Sequence, residues 1–359
     1  DVSERYRKST MGALRFAFLS TFALDFFSSL SVAIVALFLG LGLINAQMVL
    51  LPALTVLILA PEYFLPIRDF GTDYHATLDG KNALKAIMHI IDLPEQERNE
   101  STNISQWNEN STLNVTNLSL QYNESNQSSL KDISFSWKGF GKIGIIGASG
   151  AGKSTLINVL GGFAHPTSAS IQINNETITS FNTKEWQQQV LYIPQHPYIF
   201  NDTLAHNVSF YTPNATNEEI QQACHHAGLS KVIESLPNGL DERIGESGRA
   251  LSGGQEQRIA FARAFLDQSR KILLFDEPTA HLDIETEWEL KQNILPLLDG
   301  RLVFFATHRL HWMLEMDYII VMDQGKIVET GTHEQLLKAK GTYTQLIQAQ
   351  MHGTEEQHG

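Results

Sequence analysis

The octapeptide Gly147-Ala148-Ser149-Gly150-Ala151-Gly152-Lys153-Ser154 has the spacing G-x-x-x-x-G-K-[ST], and no other stretch restricts the fold of the chain as tightly. Such a run needs a buried strand before it and a helix after it, because its glycines must turn successive backbone N–H groups inward at a helix N-terminus. Both neighbours are present. Ile143-Gly144-Ile145-Ile146 suits a buried parallel strand, and Thr155-Leu156-Ile157-Asn158-Val159-Leu160 suits the first turns of a helix. A loop of this kind cradles a polyphosphate. Lys153 brings a point charge toward the β- and γ-phosphates of a nucleotide triphosphate, and the Ser154 hydroxyl can ligate Mg²⁺. Gly147, Ser149, Gly150, Gly152 and Thr155 complete the expected contacts of this loop.

Further along, apolar runs alternate with helical patterns, the signature of an α/β domain, with strands expected at 143–146, 190–193, 272–275, 302–306 and 318–322. The run at 272–275 ends in Asp276-Glu277-Pro278, placing two carboxylates at the carboxyl end of a core strand, where open α/β sheets bind their ligands. Asp276 suits a Mg²⁺ ion through its water shell. Glu277 suits acceptance of a proton from water attacking the γ-phosphate. Leu251-Ser252-Gly253-Gly254-Gln255 then supplies a second glycine-rich helix N-terminus with a serine hydroxyl, although one nucleotide does not need two such cradles from one domain.

The N-terminal third is of another character. Residues 14–43 are almost wholly apolar, long enough to span a bilayer, which takes roughly 20 apolar residues. A second apolar stretch, 47–67, is interrupted by Pro52, Pro61 and Glu62 and predicts a kinked helix. Arg5, Arg7, Lys8 and Arg15 flank one side of the pair and Arg68, Lys81 and Lys85 the other, whereas the connection 40–47 is uncharged; both outer ends are therefore expected in the cytoplasm. Asp25 and Glu62 are candidates for a pathway, an interhelical pair or an interfacial position. Residues 99–129 are rich in Asn, Ser, Thr and Gln and mark a linker, with a strand expected at 113–122; the N-x-[ST] patterns within it follow from composition. The expected organisation is 1–92 for two membrane helices with a cytoplasmic extension, 93–110 for a linker, 111–351 for the nucleotide-binding domain and 352–359 for a tail.

A net charge of −13 argues against a general nucleic-acid binder, and with Cys224 as its single cysteine the chain can form no internal disulfide. Because the sequence starts at Asp1 without a methionine, it is expected to be the C-terminal part of a longer protein.

Together, the phosphate loop, the LSGGQ run and the Asp-Glu strand end resemble the ATP-binding cassette family. That resemblance implies an α/β P-loop NTPase fold, here an ABC-type nucleotide-binding domain preceded by a two-helix all-α transmembrane segment, using ATP and Mg²⁺. It also implies that Ser252, Gly253, Gly254 and Gln255 reach the nucleotide of an opposing domain in a head-to-tail dimer. Tyr122 matches the aromatic that stacks on adenine, with Phe135 or Trp137 as competitors. Gln195 matches the glutamine that serves the metal and links the site to the membrane domain, and His308 the histidine that contacts the γ-phosphate. Asp283 matches the loop that crosses the dimer interface, although His281 departs from the commoner Ser-Ala-Leu-Asp form.

Residues 243–248 resemble the exporter-type loop that senses the membrane domain. Within exporters, residues 59–68, 74–76 and 306–313 are similar to CydD-type subunits of the heterodimeric exporters needed for cytochrome bd assembly. The resemblance implies a second half-transporter subunit of CydC type as partner, the lipid of the cell membrane as surroundings, and a small thiol such as cysteine or glutathione as cargo, with haem competing. An exporter of lipid, drug or peptide is one alternative. A membrane-anchored regulatory ATPase that moves no substrate is another.

Overall fold

The computed structural model describes residues 2–92, 104–121, 128–246, 248–280 and 282–355. The chain divides into two compact units, Asp1–Gln96 and Glu97–Gly359.

The first unit is a pair of long helices, Val2–Ile44 and Leu50–Ile91. The first helix ends in a Schellman turn: Ala46 takes a left-handed φ of 53°, Gln47 N–H donates to Gly42 O at 2.9 Å and Ala46 N–H to Leu43 O at 3.1 Å. Within it, Phe22–Ile44 is long and apolar enough to cross a membrane. The second apolar stretch includes Leu50–Tyr63, and the helix that carries it continues past Pro61 and Pro66 to Ile91. Large apolar side chains such as Phe18, Phe22, Phe38 and Leu51 stay exposed on this unit, and Asp25 and Glu62 are exposed as well. So much uncovered apolar surface suits lipid or further helices.

The second unit is built on a six-stranded sheet ordered Lys326–Gly331, Tyr318–Asp323, Gly141–Gly147, Leu302–Ala306, Ile272–Asp276 and Val190–Ile193; only the first pair is antiparallel. All five residues of Ile272–Asp276 and of Leu302–Ala306 are buried, as continuous apolar runs in a sheet covered on both faces should be. Side chains alternate between two cores. Leu273, Phe275, Val303 and Phe305 face a core that includes Ile259 and Phe261 of the helix Gly253–Leu266 and Ile294 of the helix Ile284–Leu298. Ile272, Leu274, Leu302 and Phe304 face the other, with Leu156 and Leu160 of the helix Lys153–Leu160. Burying each such side chain contributes roughly 1.5–3 kcal/mol.

The second core is closed by a four-stranded antiparallel sheet ordered Ser128–Lys138, Thr112–Gln121, Ser168–Ile173 and Glu176–Ile178. A two-stranded ribbon joins Asp202–Thr203 to Arg243–Ile244. Cys224 is buried in the first core, and that burial pushes its thiol up to about 12.

Candidate functional site

The strands Gly141–Gly147, Ile272–Asp276 and Leu302–Ala306 run parallel, with Ala306 opposite Ile145 on one side and Asp276 on the other, so their carboxyl ends converge on one edge. Out of Gly147 the chain passes through the loop and into the helix Lys153–Leu160, which starts at Gly152 with a φ of 102°. A side chain at Gly152 would adopt that left-handed backbone at a cost and press on Ser129 O and Leu130 at 3.1 Å. The loop borders a cavity of about 820 Å³ lined by Ser149, Gly150, Gly152, Lys153, Ser154, Thr155, Gln195 and Glu277. That volume falls in the range of small-molecule sites.

Each charged group at this edge is held by named partners. The Lys153 ammonium, only 5% exposed, donates to Gly147 O at 2.9 Å and Ala148 O at 3.1 Å, and lies 3.7 Å from Glu277 Oε1. Ser154 Oγ donates to Asp276 Oδ1 at 2.8 Å. Asp276 is raised above its usual range, chiefly by burial; the Ser154 hydrogen bond opposes the rise, neighbouring Glu277 adds to it and Lys153 opposes it. Serine hydroxyl, aspartate carboxylate and glutamine amide are hard oxygen donors, and a carboxylate that burial disfavours as an anion gains from a nearby dication, so this set fits Mg²⁺.

Glu277 occupies a left-handed backbone, φ 47°, unusual for a residue with a side chain. Its N–H donates to Ala306 O at 2.8 Å and its carbonyl accepts from Ala280 N–H at 3.1 Å, and these bonds hold the strained turn. The turn brings Glu277 Oε2 to 2.9 Å from His308 Nδ1, whose ring is half exposed. Glu277 thus sits between a lysine and a histidine at the cavity wall.

The remaining candidates are elsewhere. Ser252 caps the helix Gly253–Leu266, accepting from Gln255 N–H at 3.3 Å, and its own N–H donates to Gln255 Oε1 at 3.0 Å. The Ser252 hydroxyl is exposed and keeps its proton to donate. Asp283 caps the helix Ile284–Leu298 and is held low by the Thr286 N–H. Neither Ser252, Gly253, Gly254, Gln255 nor Asp283 lines the phosphate-loop cavity. Tyr122, Ser247 and His281 lie outside the described residues. The two other aromatics weighed for the adenine role, Phe135 and Trp137, pack partly buried against the second core. Phe135 lies edge-on to Phe304 at 6.0 Å and Trp137 tilts on Tyr318 at 5.9 Å, so both serve the core and neither lines the cavity.

Four residues were not singled out from the sequence. Ser129, Lys131, Gln324 and Gly325 line the same cavity. Gly325 N–H donates to Ala151 O at 3.0 Å and Gly325 O accepts from Lys131 N–H at 2.8 Å, which ties a hairpin turn to the phosphate loop. Gln257, fully buried on the helix that Ser252 caps, donates through Nε2 to Gln195 O at 2.6 Å. A Gly after a turn-forming Gln hints at the hairpin; nothing in the spacing hints at Gln257 or Lys131.

Residues 130–280 match the family model for the ABC transporter. The chain is 55% identical over 350 residues to the glutathione/L-cysteine transport system ATP-binding/permease protein CydC of Bacillus subtilis strain 168, covering 98% of this chain and 60% of that protein. It is 32% identical over 355 residues to the CydD protein of the same description from Escherichia coli strain K12, covering 96% of this chain and 60% of that one. The likeness read as CydD-type therefore extends to both names and is greater to the CydC-named relative. Among solved structures, a bacterial Atm1-family ABC exporter with ATP bound superposes with a TM-score of 0.66 at 27% identity, over 96% of this chain and 60% of that chain. The chain spans about 60% of the length of these relatives. With the matched region carrying the phosphate loop, the Asp-Glu strand end and the capped LSGGQ helix just described, residues 130–280 form an ABC transporter domain, the ATP-binding cassette.

Proposed function

We propose that this chain is one half of an ATP-driven exporter that moves a small thiol of the cysteine or glutathione class across the cell membrane, with its nucleotide-binding domain on the cytoplasmic side. The observation that carries the ATPase part is Glu277, strained at φ 47° and held between Lys153 at 3.7 Å and His308 at 2.9 Å on the cavity wall. A carboxylate so placed accepts the proton of the attacking water, while His308 orients the γ-phosphate and Lys153 leaves its loop carbonyls to meet the β- and γ-oxygens. Ser154, Asp276 and Gln195 would hold Mg²⁺, which when bound neutralises charge on the phosphates. The N–H groups of the loop at 147–152 receive the phosphate oxygens at the helix N-terminus.

Because Ser252 to Gln255 do not line the cavity on their own domain, a second cassette is the proposed source of the signature that completes it. The CydC and CydD names of the relatives support a non-identical half-transporter of that kind as partner, and the thiol cargo follows the same names. Nucleotide-driven closing and reopening of the two cassettes would alternate access across the membrane part, to which residues 1–92 would supply two helices.

The test uses the full-length chain co-expressed with its partner half and reconstituted in vesicles. ATP-dependent movement of labelled cysteine or glutathione, lost in Glu277→Gln while nucleotide still binds, is the expected result. ATP hydrolysis that moves lipid or drug but no thiol would replace the cargo. Hydrolysis that moves nothing would favour a regulatory ATPase, and an active Glu277→Gln would remove Glu277 from the base role.

A further inference from the structure

Glu277 and His308 stand at the heads of two connections, one with described residues 277–280 and 282–283 and one that runs from Thr307 into the 3-10 turn Leu310–Glu315, and these are joined a second time in the interior. The joint is Glu287, on the first full turn of the helix Ile284–Leu298 and only 2% exposed. Four side chains converge on its carboxylate. Thr279 Oγ1 donates to Oε1 at 2.6 Å and Trp312 Nε1 donates to the same oxygen at 2.8 Å. His311 Nε2 lies 3.3 Å from it, and Arg309 Nη1 pairs with Oε2. Burial alone would push this carboxyl up, but the hydrogen bonds from His311, Thr279 and Trp312 and the charge of Arg309 bring it down to about 2.

Arg309 makes the joint directional. It follows His308 in the chain, so anchoring its side chain fixes the backbone that carries the histidine. One arm of its guanidinium holds Glu287 and the other donates to Leu282 O at 3.1 Å, within the loop that ends at Asp283; its N–H donates to Thr307 Oγ1 at 3.0 Å. One turn further along the same helix, Lys291 donates to His311 O at 3.0 Å and pairs with Glu315 at 3.0 Å. Trp312 stacks on Phe305 of the central sheet at 4.7 Å. The connection after Thr307 is thus fastened along its length to one helix face.

We propose that Glu287 is a positioning residue for ATP hydrolysis: by gripping Thr279, Arg309 and Trp312 together it locks the connection after Thr307 against the one after Glu277 and keeps the His308 imidazole on Glu277. Movement of the loop ending at Asp283, the one that resembles an interface-crossing loop, then reaches the histidine through Leu282, Arg309 and Glu287. A carboxylate is needed because a neutral amide accepts at one oxygen only and cannot balance the guanidinium. The proposal rests on the reading of this cavity as an ATP-hydrolysing site.

The experiment measures ATPase kinetics and analogue affinity for Glu287→Gln, His308→Ala and the double variant in the full-length assembly. Glu287→Gln is expected to lower kcat about tenfold or more, since small misplacements of a catalytic group cost one to two decades. KM for ATP and affinity for a non-hydrolysable analogue are expected to stay within about twofold, and in the His308→Ala background the same substitution should change kcat less than about twofold. A loss that multiplies with that of His308→Ala, or one shared equally by affinity, overturns the proposal as merely structural. So does wild-type kcat. If Glu287→Gln fails to fold, Arg309→Lys, which keeps the charge but loses the second arm to Leu282, carries the same cycle. An inactive wild-type assembly would instead refute the hydrolytic reading beneath it.

Discussion

Replacing Lys153 by methionine keeps the buried stem and removes the charge, which isolates what the ammonium does for nucleotide binding. The ammonium is held by Gly147 O, Ala148 O and the nearby Glu277 carboxylate. Binding exchanges part of these contacts for phosphate oxygens. A unit charge about 4 Å from a phosphate charge interacts by roughly 4 kcal/mol at an effective dielectric near 20. The contacts given up offset about a third to a half of this, leaving a net loss of about 2–3 kcal/mol, or roughly 30- to 150-fold in affinity. The variant also leaves Glu277 without its cation, and its repulsion of the triphosphate acts in the same direction. Equilibrium titration of the assembly with a fluorescent non-hydrolysable ATP analogue reads this number directly, and a thermal melt checks that the fold persists. Affinity within about twofold of wild type would show that the loop amides alone bind the phosphates, and the electrostatic argument would fail.

Three further outcomes are expected. Gly325→Ala places a Cβ 2.6 Å from Ser129 O on a backbone of φ +78°; the left-handed strain of about 1–2 kcal/mol and a weakened hydrogen bond of about 1 kcal/mol should lower Tm by several degrees and reduce analogue affinity, and an unchanged melt would count against the hairpin's role. Glu287 is held at about 2 against a usual 4.5, so its charge adds stability that is fully present above pH 4.5 and lost as pH falls toward 2. Glu287→Gln should accordingly flatten the acid limb of a denaturation curve between those values, by up to about 3 kcal/mol, and an unchanged limb would contradict the network. Finally, a cysteine at Asn45, exposed at the turn between the long helices, should react with an impermeant reagent added outside intact cells; reaction at Ser9 instead would invert the topology.

The five strands of the parallel core were legible because both faces are covered, so each reads as an unbroken apolar run. Its antiparallel cover was harder to see. In Thr112–Gln121 the buried Leu113, Val115, Leu118 and Leu120 alternate with Asn, Thr and Ser, and the composition reads as linker unless the period is followed. Strands such as Lys326–Gly331 and Ser168–Ile173 have the same half-polar face and were missed. In the site, motif residues that act through backbone geometry next to their own helix or strand could be read from spacing. Lys131, Gln324, Gln257 and Glu287 could not, since each acts on residues distant in sequence: Gln257 on Gln195, Glu287 on Trp312. The second apolar stretch lies in a helix that continues through Pro61 and Pro66 to Ile91, a length that the apolar run by itself does not give.

The turn that ties Gly325 to Ala151 and Lys131 has a consequence for the order in which the protein is made. The octapeptide at 147–154 is synthesised nearly 180 residues before the turn that braces it, and the strand Tyr318–Asp323 that carries this turn is the neighbour of Gly141–Gly147 in the sheet. On the ribosome, then, the phosphate loop emerges early and remains without its support until almost the whole domain has left the exit tunnel; contacts of such long sequence separation form late. The brace is available only to a chain that has reached residue 325, so a ligand that favours the braced loop favours completed domains over truncated ones.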